Sequence, residues 1–212
     1  MDKTSNQYLN NPEYHSPTMT WPGRVESSLE KQSIERLQEA IREGNVLEIG
    51  SSAGLTTEEL GHIFGPNVQV TGIEINKKMF GESKTAEQEK YKNIAYDHQS
   101  SYREGGKEPL FARADGYNPP FAENTFKCVF MMNNIYNVIS KNRMTPQRQK
   151  EVFSNILRVI APQGFLCIAG LGENGSEYLI IQLDEQKKAH IFDDQTYSEP
   201  VFQQIKTALN IT

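Results

Sequence analysis

Residues 46–54 read Val-Leu-Glu-Ile-Gly-Ser-Ser-Ala-Gly, a short apolar run that breaks into a turn of very small residues. Residues 45–49 predict a strand, and Thr-Thr-Glu-Glu-Leu at 56–60 can start a helix. A nucleotide-like ligand can approach the backbone at the end of a strand only where side chains are absent or tiny, and the following helix offers free N–H groups at its start. The stretch therefore predicts a strand, a ligand-binding turn and a helix.

The rest of the chain alternates strands with helices. Further strands are predicted at residues 68–75, 110–114, 125–132 and 165–169, and helices at about 28–44, 76–91, 146–160 and 200–209, with a loop at 93–108. The strands are apolar throughout, which favours a parallel sheet covered on both faces. Residues 178–192 have two β-rich arms around Asp184, which predict an antiparallel hairpin at the edge of the sheet. The predicted fold class is a doubly wound, mostly parallel α/β sheet with helices on both faces.

Length and charge limit the domain organisation and the partners. A chain of 212 residues is long enough for one well-buried domain, which we place at residues 25–212, preceded by an irregular arm or lid at 1–24. With 22 basic and 27 acidic residues the net charge is −5, so bulk electrostatics do not attract a phosphate backbone or an anionic membrane. We therefore expect neither nucleic acid nor a membrane as partner.

Other composition signals concern location, metals and thiols. No basic start leads into an early apolar stretch and no run reaches membrane-spanning length, so we expect no signal peptide, no transmembrane helix and a cytoplasmic protein. Four histidines and two cysteines show no metal-ligand spacing, so a metal site is not predicted. Cys128 and Cys167 lie in apolar strand-like runs and are interpreted as inert core residues. The sequence does not indicate the oligomeric state.

A second ligand feature follows the next strand. Glu74, at the end of the strand at 68–75, could accept hydrogen bonds from both hydroxyls of a ribose, as carboxylates do in dinucleotide-binding folds. Nicotinamide enzymes and methyltransferases both use a small-residue turn with such a carboxylate. These two features alone leave both classes open.

Four elements in the right order resemble the class I S-adenosylmethionine-dependent methyltransferases, over about residues 30–170. They are the acidic strand end and turn at 48–54, the acid at Glu74, the phrase Ala-Asp-Gly-Tyr-Asn-Pro-Pro-Phe-Ala-Glu-Asn-Thr-Phe at 114–126, and the Pro-Gln-Gly phrase before the strand at 165–169. One departure is Ser52, which stands where the family has its middle glycine and removes some backbone freedom. The resemblance implies S-adenosylmethionine as cofactor. It implies these cofactor-binding residues: Glu48, Gly50, Ser51, Ser52, Gly54, Glu74, Ile75, Asp115, Gly116 and Asn133.

Within that phrase, Asn118-Pro119-Pro120-Phe121 has the letters of the motif by which some amino-methyltransferases hold an amine or amide nitrogen. In those relatives the motif directly follows the fourth strand, whereas here it precedes the fourth strand at 125–132. We therefore interpret the match as one of letters and not of position. The place after the fourth strand holds Asn133-Asn134-Ile135-Tyr136, where an Asn can orient a substrate amine and Tyr136 can shape the pocket, or the two serve as a helix cap and a packed aromatic.

The resemblance implies in-line methyl transfer, most simply to a small organic molecule, because the acidic chain lacks the basic surface that RNA or DNA methylation favours. The candidate substrate-binding residues are Tyr14, Trp21, Asn134 and Tyr136. No catalytic base is assigned, since a base is needed only where the acceptor must lose a proton. The alternatives are a protein or RNA acceptor, a non-catalytic cofactor-binding protein, and a NAD(P)-dependent oxidoreductase.

Overall fold

The computed structural model describes residues 24–51, 54–75, 107–132, 144–172, 175–196 and 200–211. Within these ranges seven strands form one sheet in the order β3-β2-β1-β4-β5-β6-β7. The strands are β1 Gly44–Ile49, β2 Val68–Glu74, β3 Leu110–Arg113, β4 Phe126–Met132, β5 Ile160–Gly172, β6 Gly175–Leu183 and β7 Ala189–Gln195. The helices are α1 Arg24–Ser28, α2 Lys31–Ala40, α3 Leu55–Phe64, α4 Pro146–Val159 and α5 Pro200–Leu209.

The sheet is parallel from β3 to β5 and antiparallel beyond it. Strands β1 to β5 pair in parallel, while β6 pairs antiparallel with β5, and β7 antiparallel with β6. The predicted doubly wound α/β sheet and its C-terminal hairpin are therefore confirmed. The antiparallel pairing of β6 with β5 was not predicted, and it places β5, β6 and β7 side by side in the order of the sequence.

Helices cover both faces of the sheet, as expected. One apolar layer joins α4 and α5 to the sheet, and the other joins α1, α2 and α3 to the opposite face. Strands β4 and β5 contribute buried residues to both layers, which explains why their sequences are apolar without alternation. The α1 backbone is held by α3, because Glu59 Oε1 accepts hydrogen bonds from the N–H groups of Val25 and Glu26.

The two cysteines lie in the core, as predicted. Cys128 and Cys167 are free and fully buried on neighbouring strands, with their Sγ atoms 3.6 Å apart. Burial raises the pKa of the Cys128 thiol well above its usual value, and the contact with Cys167 adds to the shift.

Two predicted boundaries differ from the structure. Strand β5 begins at Ile160, five residues before the predicted start, because residues 161–164 bulge from the ladder and pairing resumes at Phe165. Gln163 takes a φ of 60° within this bulge. The helix predicted at about 28–44 is shorter in the structure, where it is α2 at Lys31–Ala40, because Glu30 is extended, with φ −64° and ψ 143°. The helix predicted at 76–91, most of the loop at 93–108 and the arm at 1–24 fall almost wholly outside the described residues.

In the part of the chain that the structure describes, no helix combines the length and the apolar character needed to cross a membrane.

Candidate cofactor site

The turn after β1 is held against β2. The N–H groups of Gly50 and Ser51 both donate to the carbonyl of Ile73, at 2.8 and 3.0 Å. Gly54 ends the turn with a φ of 89°, in the left-handed region, and α3 starts at the next residue. The phenyl ring of Phe111 lies against Gly54, since a Cβ built at Gly54 would come within 2.6 Å of the ring. Only glycine meets both conditions at position 54.

Glu48 lies beneath the turn. Its carboxylate is buried and accepts a hydrogen bond from the Thr57 hydroxyl in the first turn of α3. This contact joins the strand before the turn to the helix after it. Glu48, a predicted cofactor-binding residue, thus also fixes the relative position of β1 and α3.

Ser51 offers a hydrogen-bonding group to a ligand. Its hydroxyl is buried, with only 4% of the residue exposed, and it has no hydrogen-bond partner among the residues that the structure describes. A buried hydroxyl without a partner is costly, and a bound polar ligand would remove that cost. The small turn and this hydroxyl fit the polar, close-lying part of a nucleoside-containing cofactor.

The two acidic residues predicted to hold the nucleoside lie at the same edge of the sheet. Glu74 is the last residue of β2, and the register pairs it with Arg113, the last residue of β3. Asp115 follows two residues later. Gly116 brings this loop against β1, because a Cβ there would be 2.3 Å from Ile49 Cγ2. Glu74, the turn after Ile49 and Asp115 therefore converge at the carboxyl ends of neighbouring strands, where open α/β sheets bind ligands.

Asp115 is exposed but oriented. Its Oδ1 accepts a hydrogen bond of 2.9 Å from the Tyr117 N–H, and its carbonyl accepts one from the Asn118 N–H. This turn leaves the second carboxylate oxygen available for a donor such as an exocyclic amine. Burial of the phenol, followed by the negative charge of Asp115, raises the pKa of Tyr117.

The segment 118–121 lies between β3 and β4. The Phe121 ring packs edge-on against Phe126, with the ring centroids 4.9 Å apart. The structure therefore agrees with the interpretation that this segment is not placed like an amino-methylation motif. Asn133, Asn134 and Tyr136, which follow β4, lie outside the described residues.

Of the remaining predicted site residues, only Ile75 lies within the described residues. Ile75 is partly exposed just beyond β2, and its carbonyl accepts a hydrogen bond from Arg113 Nε. Ser52, Tyr14 and Trp21 lie outside the described residues. In the described ranges no group of three or more His, Cys, Asp or Glu side chains is arranged to hold a metal ion.

Sequence reasoning missed two residues that shape the turn, Thr57 and Phe111. Thr57 had a weak signal, because a hydroxyl in the first turn of a helix often binds a nearby acceptor. Phe111 had none, since its position opposite Gly54 depends on how β3 pairs with β2.

Comparison with known proteins agrees with this geometry. The sequence profile of a family described as methyltransferase domain matches residues 47–168, more than half of the chain. The ubiquinone/menaquinone biosynthesis C-methyltransferase UbiE of Pseudomonas fluorescens is 28% identical over 129 residues, which is 60% of this chain and 42% of that protein. Its counterpart from Pseudomonas aeruginosa strain LESB58 is 27% identical over 66% of this chain and 46% of its own length. The match thus spans less than half of these relatives.

A solved structure supports the fold. The SAM-dependent methyltransferase of Aquifex aeolicus superposes with a TM-score of 0.58 at 16% identity, covering 95% of this chain and 89% of that one. The chain belongs to the methyltransferase domain family and has the class I S-adenosylmethionine-dependent methyltransferase fold. This family match does not favour the oxidoreductase alternative.

Proposed function

We propose that the protein transfers the methyl group of S-adenosylmethionine to a small organic molecule. The observation that carries the proposal is the convergence of the Ser51 hydroxyl, Glu74 and Asp115 at one edge of the sheet. Gly50, Ser51, Ser52 and Gly54 would take the methionine side of the cofactor, and Glu74 with Ile75 the ribose. Asp115 and Gly116 would take the adenine, with Glu48 and Asn133 completing the set.

When bound, the cofactor supplies an electrophilic methyl group on a sulfonium. The protein then has to align the acceptor with that methyl group and exclude water, and it needs a base only for acceptors that must lose a proton. We assign the acceptor contacts to Tyr14, Trp21, Asn134 and Tyr136, and we regard residues 1–24 as an N-terminal arm or lid. These assignments remain predictions from the sequence.

A small acceptor is favoured by the relatives and by charge. The matched Pseudomonas proteins are C-methyltransferases of ubiquinone/menaquinone biosynthesis. The net charge of −5 does not favour a nucleic acid acceptor. Quinol-ring compounds are therefore the first acceptors to test, with transfer to a ring carbon. A cytoplasmic location and the absence of nucleic acid partners remain our expectations.

Calorimetric titration of S-adenosylmethionine and S-adenosylhomocysteine tests the cofactor assignment. We expect micromolar binding by the wild type, and a loss of at least about tenfold in Glu74→Ala and Asp115→Ala, because each variant removes a buried or oriented hydrogen bond to the nucleoside. NADH should give no heat. Mass spectrometry of quinol-ring acceptors incubated with cofactor then tests for a gain of one methyl group. Absence of cofactor binding by the wild type would overturn the proposal.

A further inference from the structure

A row of contacts ties the segment after Asp115 to helix α4. Asn155 Nδ2 donates to the carbonyl of Tyr117 at 3.1 Å. One turn further along α4, Arg158 donates from Nη1 to the carbonyl of Phe121 at 2.8 Å and from Nη2 to that of Pro119 at 2.9 Å. The acceptors are the carbonyls of alternate residues, 117, 119 and 121. The segment therefore runs along α4 and directs these carbonyls toward the helix.

These contacts lead directly to the predicted adenine-side carboxylate. Tyr117, whose carbonyl is held by Asn155, is also the residue whose N–H binds Asp115 Oδ1 at 2.9 Å. Asn155 and Asp115 are thus joined through a single residue of the backbone. Asp115 is exposed on a loop, where a side chain without such support would sample several orientations.

The partner groups are well suited to fixing a backbone. Arg158 is partly buried, and its planar guanidinium binds two carbonyls at a fixed separation, which a lysine with one point of charge does not reproduce. Hydrogen bonds from a charged donor are also stronger than those between neutral groups. The prolines of the segment remove backbone N–H groups, so its carbonyls are the groups that must be satisfied.

We propose that Asn155 and Arg158 are positioning residues of the methyltransferase, which hold the segment 117–121 so that Asp115 faces the 6-amino group of adenine. The inference rests on the proposed function, since it assumes that Asp115 contacts the adenine. On this proposal, the backbone of Asn118-Pro119-Pro120-Phe121 helps to position Asp115 for the cofactor. This role differs from that of the amino-methylation motif, which holds the nitrogen atom of the substrate.

The test compares the affinity for two ligands in matched variants. S-inosylhomocysteine carries an oxygen where S-adenosylhomocysteine carries the 6-amino group, so the affinity ratio of the two ligands reports the contact made by Asp115. Asn155→Asp removes the donor at nearly the same size, and Arg158→Lys keeps the charge but not the fork. Lys187→Ala is the control, because Lys187 Nζ binds the Arg158 carbonyl and Asn124 Oδ1 but none of the carbonyls of 117–121.

We expect the wild type to prefer S-adenosylhomocysteine by about tenfold or more, as a site built to bind a donor discriminates against a ligand without it. Asn155→Asp and Arg158→Lys should each lower that affinity about three- to tenfold and shrink the ratio, whereas Lys187→Ala should leave both unchanged. Thermal unfolding of each apoprotein shows whether the variants are folded at the titration temperature.

Distinct results overturn distinct steps. If Asn155→Asp and Arg158→Lys lower the melting temperature but keep the wild-type ratio, or if Lys187→Ala behaves like them, the two residues serve only the fold. If the wild type binds S-adenosylhomocysteine but does not prefer it, and Asp115→Ala binds equally well, the adenine contact and this inference are wrong while the cofactor assignment stands. If the wild type does not bind S-adenosylhomocysteine, the proposed function itself is wrong.

Discussion

The two halves of the sheet, on either side of β1 and β4, differ in how deeply their strands are buried. The cofactor edge, formed by β2, β3 and the turn at 50–54, includes a four-residue strand with no buried side chain. The hairpin half, formed by β5, β6 and β7, includes five consecutive buried residues at 177–181. The outermost strand of the cofactor edge therefore buries little apolar surface, whereas the hairpin half contributes a large share of the apolar core.

One buried polar cluster beside the hairpin half differs from the Ser51 hydroxyl at the cofactor edge. Beside the hairpin half, the hydroxyl of Ser33 in α2 donates to the Asp193 carboxylate and contacts the Tyr178 hydroxyl at 3.2 Å, so this cluster is satisfied within the protein. At the cofactor edge, the buried Ser51 hydroxyl has no hydrogen-bond partner within the described ranges. The protein itself thus completes the Ser33 cluster, whereas the Ser51 hydroxyl at the cofactor edge can bind a ligand.

The largest predicted effect compares the same substitution on the two sides. Leu179 in β6 is fully buried, whereas Leu110 in β3 is 56% exposed. Leu179→Ala should lower the free energy of unfolding by about 2–5 kcal/mol, because it leaves a cavity, and Leu110→Ala by about 0.5 kcal/mol or less. Denaturant unfolding of both variants measures the difference. Equal losses would show that the two sides contribute alike to stability.

The next effect lies at the turn. Gly54→Ala places a Cβ 2.6 Å from the Phe111 ring at a φ of 89°, which should cost about 1–3 kcal/mol of stability and weaken S-adenosylhomocysteine binding about tenfold or more. Gly65→Ala is the matched control, since Gly65 has a φ of 76° but open space around its Cβ position.

The control should lose stability through backbone strain and keep the wild-type affinity for S-adenosylhomocysteine. Calorimetric titration and thermal unfolding of the two variants separate strain from displacement of the turn. A Gly54→Ala protein that binds as tightly as Gly65→Ala would show that the turn tolerates a side chain at position 54.

The sequence predicted the fold because periodicity and small-residue turns are local signals. The strand at Phe126–Met132 and the helix capped by Thr145 were recognised within a residue, since apolar runs and caps are written in adjacent positions. The bulge at 161–164 was missed, because it depends on how β5 pairs with β4. The order of β5, β6 and β7 likewise depends on pairing between distant residues.

The site shows the same limit. Family motifs pointed to Ser51, Glu74 and Asp115 by their places at strand ends, and the structure brings their segments to one edge of the sheet. Asn155 carries no motif signal, and Arg158 lies in the family phrase at 156–165 without a sign of its role. Both act on backbone carbonyls more than 30 positions away, and the side chains of those residues are not part of the contact. Sequence patterns therefore find groups that face a ligand more readily than groups that hold them in place.

The smallest predicted effect tests whether water is excluded from Cys128 in β4, the strand next to the hairpin half. Burial raises the pKa of this thiol, so the folded state favours its neutral form, while the unfolded chain ionises near about pH 8.5. A group with a raised folded pKa contributes its full stability below the unfolded pKa and loses it as the pH rises. Between pH 7.5 and 9.5 the wild type should therefore lose about 1 kcal/mol more of unfolding free energy than Cys128→Ala.

Denaturant unfolding at the two pH values measures this change. Because each protein is compared with itself at the other pH, the stability that Cys128→Ala loses at both pH values cancels. Tyr117 and Tyr178 also have raised pKa values, Tyr178 chiefly through burial, but phenols in the unfolded chain ionise near about pH 10, above this window. A Cys128→Ala protein with the same pH dependence as the wild type would mean that water reaches the thiol in the folded state. In that case β4 would not share the exclusion of water that we expect for the hairpin half.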